Sequence, residues 1–121
     1  MSKTLMVVDD SFSMRLLSSF TLKDAGYDVI EASSGSEALE KLSSVKVDMV
    51  ISDFNMPGMN GIEFIRRCRS LEAFKFTPIV MLTTDYDETL KQECRNVGAS
   101  GWLVKPFNPV LLLETVKKFI H

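Results

Sequence analysis

What most restricts the fold of this chain is an alternation repeated five times: a short apolar run, a break, then a longer stretch of helical period. Residues 4–8 (Thr-Leu-Met-Val-Val) are too few for a stable helix and too apolar for a loop, so they read as a strand. In residues 11–25, Met14, Leu17, Phe20 and Leu22 recur at helical spacing and Gly26 stands where a C-terminal stop belongs, which predicts a helix with those residues as its apolar face. The alternation continues with a strand at 27–30, half polar and therefore at an edge, and a helix at 36–42 with Ala38, Leu39 and Leu42 inward. A strand at 48–52 precedes a loop marked by Pro57, Gly58, Asn60 and Gly61, then a helix at 62–71 with Ile62, Ile65 and Cys68 on one side. A strand at 78–82, a helix at 88–97 closed by Gly98, a strand at 102–104 and a helix at 109–120 complete the chain. On the last helix Leu112, Val116, Phe119 and Ile120 share one face, and Leu111 points away from it.

Five βα units in a row imply an α/β fold, a (βα)5 doubly wound parallel sheet with helices on both faces. The nearly continuous apolar runs at 4–8, 48–52 and 78–82 fit strands covered on both sides. The 121 residues suit one domain, 1–121, and a hydrophobic fraction of 45% suffices for a continuous core. The last helix ends with the chain, so no effector domain is expected. A net charge of -2 argues against a general nucleic-acid binder, which needs a basic face. No run is long enough to cross a membrane, and Asp9 and Asp10 interrupt the first apolar run too early for a signal peptide. Cys68 and Cys94 lie far apart in helical segments, without zinc spacing, and read as free thiols of a cytoplasmic protein. His121 is terminal and supports no catalytic role.

The polar residues that remain fall at the strand ends. Asp9 and Asp10 follow the first strand, Asp53 the third, Thr83 and Thr84 the fourth, and Lys105 the fifth. In open parallel sheets ligands bind beyond the carboxyl ends of the strands, where the strand order reverses. One aspartate after a strand is often just a helix cap; acids, hydroxyls and an ammonium at four strand ends are a site. Two unit charges ~4 Å apart repel by ~4 kcal/mol at an effective dielectric near 20. Three carboxylates therefore resist ionising together unless a cation joins them, and Lys105 alone cannot neutralise three. Mg2+ fits, since it takes one or two carboxylates plus water and phosphate oxygens at about 2.0–2.1 Å. A carboxylate can also accept a phosphoryl group, with Lys105 on one phosphoryl oxygen and the Thr83 hydroxyl on another.

Asp9-Asp10-Ser11, Ser13-Met14-Arg15, Asp53, the loop Asn55-Met56-Pro57-Gly58, Thr83 and Lys105-Pro106-Phe107 together resemble the receiver domains of two-component response regulators, most nearly the stand-alone chemotaxis type. The resemblance covers essentially the whole chain. It implies a flavodoxin-like fold of strand order 2-1-3-4-5, an order that the periodicity alone does not yield. It implies Asp53 as phosphoacceptor, Asp10 as the main Mg2+ ligand with Asp9 acting through water, and a backbone carbonyl of Asn55 on the metal. It further implies a cis Lys105-Pro106 bond and a switch pair of Thr83 and Trp102, in which the ring follows the hydroxyl inward. Asn55, Thr84 and Asp85 would modulate dephosphorylation. Two positions depart from the common pattern: Trp102 stands where Tyr or Phe is usual, and Thr84 where a small residue is usual. Met56 and Met59 flank the acidic site, and Leu111 lies on the face receivers commonly use for partners.

The resemblance implies a histidine kinase as phosphoryl donor and a target such as the flagellar motor switch, with a phosphatase as an optional third partner. It implies a cytoplasmic monomer without nucleic acid or membrane, no enzyme beyond hydrolysis of its own acyl phosphate. Within this class a phosphate sink that drains a kinase is the alternative. A small Mg2+-dependent phosphohydrolase would need a leaving-group pocket and a further acid that the sequence does not offer. A flavin carrier on the same fold would want a Ser/Thr-rich loop after the first strand, where this chain has two carboxylates.

Overall fold

The structure, a computed structural model, describes residues 2–84 and 87–120. Five parallel strands form one sheet: β1 (Thr4–Val8), β2 (Asp28–Ala32), β3 (Met49–Asp53), β4 (Ile79–Thr83) and β5 (Gly101–Val104), in the order β2-β1-β3-β4-β5. Helices α1 (Phe12–Asp24), α2 (Gly35–Leu42), α3 (Gly61–Ser70), α4 (Glu88–Asn96) and α5 (Pro109–Phe119) connect and flank them. A single 3-10 turn, Glu72–Phe74, follows α3 and was not foreseen.

The period-2 alternation of the strands divides the core in two. Met6, Val8, Val50, Ile79 and Met81 face α2, α3 and α4, where they meet Ala38, Leu42, Phe64, Ile65, Cys68 and Cys94. Leu5, Val7, Met49, Ile51, Val80 and Leu82 face α1 and α5, where they meet Leu22, Leu112 and Val116. Each fully buried Val, Leu, Ile, Met or Phe among them contributes about 1.5–3 kcal/mol. The two edge strands, β2 and β5, are the partly exposed ones, and of these only β2 is half polar.

Local chemistry explains most boundaries. Ser11, Ser34, Asn60, Asp87 and Asn108 each cap a helix by accepting a backbone N–H from the first turn. Gly26 takes a positive φ of 100° that lets its N–H close α1 on the Lys23 carbonyl. Gly61 serves close approach instead, because a Cβ there would stand 2.6 Å from Met81 Sδ and 2.9 Å from the Phe54 ring. Arg69 ties the fold across the sheet's far end, its guanidinium donating to the carbonyls of Phe74, Thr77 and Gly98.

Three sequence expectations need correction. β2 runs to Ala32 rather than 30, because the β1 register pairs Val7 with Glu31 and Val8 with Ala32. Asp53 and Thr83 are the last residues of β3 and β4 rather than the first residues beyond them; Asp53 pairs with Leu82 and Thr83 with Val104. Of the apolar spacing that announces α1, only Leu22 lies on its buried face. Ser18, Ser19 and Leu22 are buried, whereas Phe12 (68%), Leu16 (51%), Leu17 (52%) and Phe20 (67%) stay exposed. Residues 15, 18, 19 and 22 also keep helical spacing, so both stripes obey the same period. The small side chains of Ser18 and Ser19 sit buried beside Leu22, and Arg15 on that side donates to the Asp9 carbonyl.

The α1 assignment is tested by two substitutions. Leu22→Ala should cost about 2–5 kcal/mol in denaturant unfolding, whereas Phe20→Ala should stay within about 0.5 kcal/mol of the parent.

Candidate functional site

The strand order reverses between β1 and β3, so the crevice beyond their carboxyl ends is the natural ligand position of this sheet. Asp9, one residue past β1, and Asp53, at the end of β3, are both buried there, and Asp10 stands exposed beside them. One carboxylate oxygen from each of the three lies within 4.8 Å of the others, the only such acid group among the described residues. Lys105, one residue past β5, reaches in from the side: its Nζ is 3.2 Å from Asp53 Oδ1 and 3.6 Å from Asp9 Oδ2. Its backbone N–H donates to the Thr83 carbonyl at 2.7 Å, which fixes the root of the side chain against β4. The Lys105-Pro106 bond is cis.

Each acid is held differently. Asp9 accepts the Ser11 N–H on Oδ1 at 2.9 Å, and its own N–H bonds the Ala32 carbonyl. Asp53 is braced through its backbone, which accepts from the Ser52 hydroxyl at 3.0 Å. Burial pushes the Asp53 carboxyl above its ordinary pKa; Lys105 pulls it down, Asp9 pushes it up again, and the Asn55 backbone N–H pulls it down. Asp10 makes no side-chain hydrogen bond or ion pair among the described residues.

The remaining expected residues divide. Thr83 is fully buried at the end of β4, and Thr84 after it is exposed. Asn55 is exposed two residues beyond Asp53, with Met56 buried and Met59 half-buried on the same loop. Asp85 lies outside the described residues. Trp102 is half-buried on β5, opposite Met81 and on the same face of the sheet as Thr83, packed against the α2–α4 side of the core. Beside its ring is a cavity of about 140 Å³ lined by Lys91, Cys94, Arg95 and Ala99. Leu111 is exposed on α5, and Leu112 and Val116 are buried. Arg15, which enters the sequence reading only within the Ser13-Met14-Arg15 resemblance and with no role at the site, also belongs to this neighbourhood. Its guanidinium donates to the Asp9 carbonyl at 2.7 Å, and a cation in the first turn of the helix that follows the two acids was the available signal.

A carboxylate whose pKa is raised by folding binds its proton more tightly in the native state, so its ionisation removes stability as pH rises above the ordinary carboxylate value. Asp53→Asn should therefore raise the neutral-pH melting temperature of the metal-free protein above that of the parent. The gain should vanish below about pH 4, where the parent carboxyl is neutral in both states.

Known proteins agree with this geometry. Residues 5–117 match the family described as the response regulator receiver domain. The chain is 41% identical to the chemotaxis protein CheY1 of Helicobacter pylori over 115 residues, 93% of each chain. It is 36% identical to the chemotaxis protein CheY of Pseudomonas aeruginosa over 118 residues, covering 97% of this chain and 95% of that one. The chemotaxis response regulator CheY4 of Vibrio cholerae superimposes with a TM-score of 0.96 at 49% identity, covering 99% of this chain and 100% of that one. With the predicted sheet order and acid cluster in place, the chain belongs to the response regulator receiver domains, of the CheY type.

Proposed function

We propose that this chain, acting as one receiver domain in the cytoplasm, is a chemotaxis switch in which Asp53 takes a phosphoryl group from a histidine kinase and thereby changes affinity for a target protein. The observation that carries this reading is the acid nest itself: three carboxylates within 4.8 Å, one of them 3.2 Å from a lysine. A structural role alone gives no reason to crowd three acids, because their mutual repulsion works against the fold.

The donor set is all hard oxygen, which suits Mg2+. Asp10, Asp9 and Asp53 would hold the ion with help from the Asn55 backbone carbonyl; when bound it neutralises charge on the transferring group. A carboxylate oxygen of Asp53 attacks phosphorus, the new O–P bond forms as the donor's P–N bond breaks, and the electron pair leaves with the imidazole nitrogen. Lys105, already paired with Asp53, passes to a phosphoryl oxygen, and the Thr83 hydroxyl donates to a second. Hydrolysis clears the phosphoryl group: water attacks phosphorus, the O–P bond to Asp53 breaks, inorganic phosphate departs and Asp53 is left as the carboxylate. The exposed positions of Asn55 and Thr84 suit control of that water's approach, with Asp85 assigned the same task from sequence. Thr83 and Trp102 share one face of the sheet, and the cavity beside the ring suits a readout in which the indole changes position.

CheY-like receivers take phosphoryl groups from histidine kinases and act on targets. For this chain the flagellar motor switch is the proposed target, engaged through α4, β5 and the Leu111 side of α5, and the protein works as a monomer.

Intact-mass measurement after acetyl phosphate with Mg2+ should show one added phosphoryl group on the parent and none on Asp53→Asn; equal labelling of both would move the acceptor elsewhere. Millimolar Mg2+ should raise the melting temperature of the parent, because a ligand of the native state adds stability by mass action. Asp10→Asn should lose that gain.

A further inference from the structure

Of the three acids in the nest, the exposed one is also the one that no side-chain contact holds. Asp10 is exposed, and its carboxylate has no hydrogen bond or ion pair among the described residues. Its aim must come from its backbone, and the peptide entering it is the Asp9–Asp10 unit. That unit is planar, so fixing the direction of its carbonyl also fixes the N–H and the Cα of Asp10. The carbonyl is fixed by a single side chain: Arg15 Nη1 donates to Asp9 O at 2.7 Å.

Arg15 is itself restrained. Its side chain is 15% exposed, its Nε pairs with Glu31 Oε1 at 3.2 Å, and its guanidinium lies 5.6 Å from the centroid of the Phe12 ring. Glu31 is anchored in turn on β2, where the Lys41 ammonium donates to its carbonyl at 2.5 Å. Lys41 continues to Glu37 at 3.3 Å, and Glu37 accepts both the backbone N–H and the hydroxyl of Ser33. A chain of contacts thus runs from the first turns of α2, through the edge strand, to the peptide that carries Asp10.

We infer that Arg15 is a positioning residue for magnesium: by clamping the Asp9 carbonyl and borrowing rigidity from Glu31, it aims the otherwise unsupported Asp10 carboxylate into the acid nest. The inference rests on the proposed Mg2+ role of Asp10. Its sign separates it from simple electrostatics. Arg15 is a cation near a cation site, so charge alone makes its removal tighten Mg2+ binding. Loss of positioning makes the same removal weaken it, as removal of groups that orient metal ligands generally does.

The test is calorimetric titration of Mg2+ into the full chain, with melting of the metal-free proteins in EDTA measured alongside. Arg15→Gln should weaken Mg2+ binding about ten-fold. Glu31→Gln, which leaves the clamp but frees it, should weaken binding less and in the same direction. Arg15→Lys keeps the charge and one donor and should recover part of the loss. Affinity for Mg2+ in Arg15→Gln equal to or tighter than that of the parent would overturn the inference, whatever happens to the EDTA melting temperature. Should Arg15→Gln fail to fold, unchanged affinity in both Arg15→Lys and Glu31→Gln would overturn it equally. A parent that binds no Mg2+ at all would instead remove the magnesium reading, and this inference with it.

Discussion

Like-charge crowding at the carboxyl edge of the sheet is the constraint around which this molecule is arranged. Asp9 and Asp53 are both buried and share one lysine, and Asp10 stands beside them with no lysine of its own. Desolvation raises the cost of the Asp53 charge, Asp9 adds to it, and Lys105 offsets part of it. The remainder is negative charge that a divalent cation would offset, and with such a cation in place the nest would tolerate the further negative charge of a phosphoryl group.

The scaffold supplies the rigidity such crowding requires. β1 and β3 are buried on both faces and hydrogen-bonded on both edges, so the residues at their carboxyl ends have little freedom to separate. Gly61 lets α3 start directly against Phe54 and Met81, which holds the loop after Asp53 close to β4. The free thiols play no part in the chemistry: burial pushes Cys68 up to about 12 and Cys94 to about 11, so both behave as small apolar residues of the α3–α4 side of the core.

Much of this was legible in the chain. The strands at 4–8 and 78–82 and every helix were placed to within a few residues, because caps and glycine stops are local chemistry. Asp9, Asp10, Asp53, Thr83 and Lys105 could be gathered to one edge because parallel βα topology sends every strand's end to the same side. The buried face of α1 was not legible. Its apolar residues outnumber the places available against the sheet, and the choice fell to the stripe of serines, Leu22 and Arg15 that fits beneath it. The contact between Arg15 and the Asp9 carbonyl depends on that choice of face and was hidden with it.

Sequence by itself determined the class of fold, the positions of the turns and the set of acids at the strand ends, since periodicity, capping and residue charge are properties of short segments. Tertiary structure decided which strands are neighbours, how far β2 extends, which side of α1 is inside and which acid is left without support. Those outcomes come from pairing and packing between residues far apart in the chain, where the fit of one surface to another settles what a local pattern leaves open.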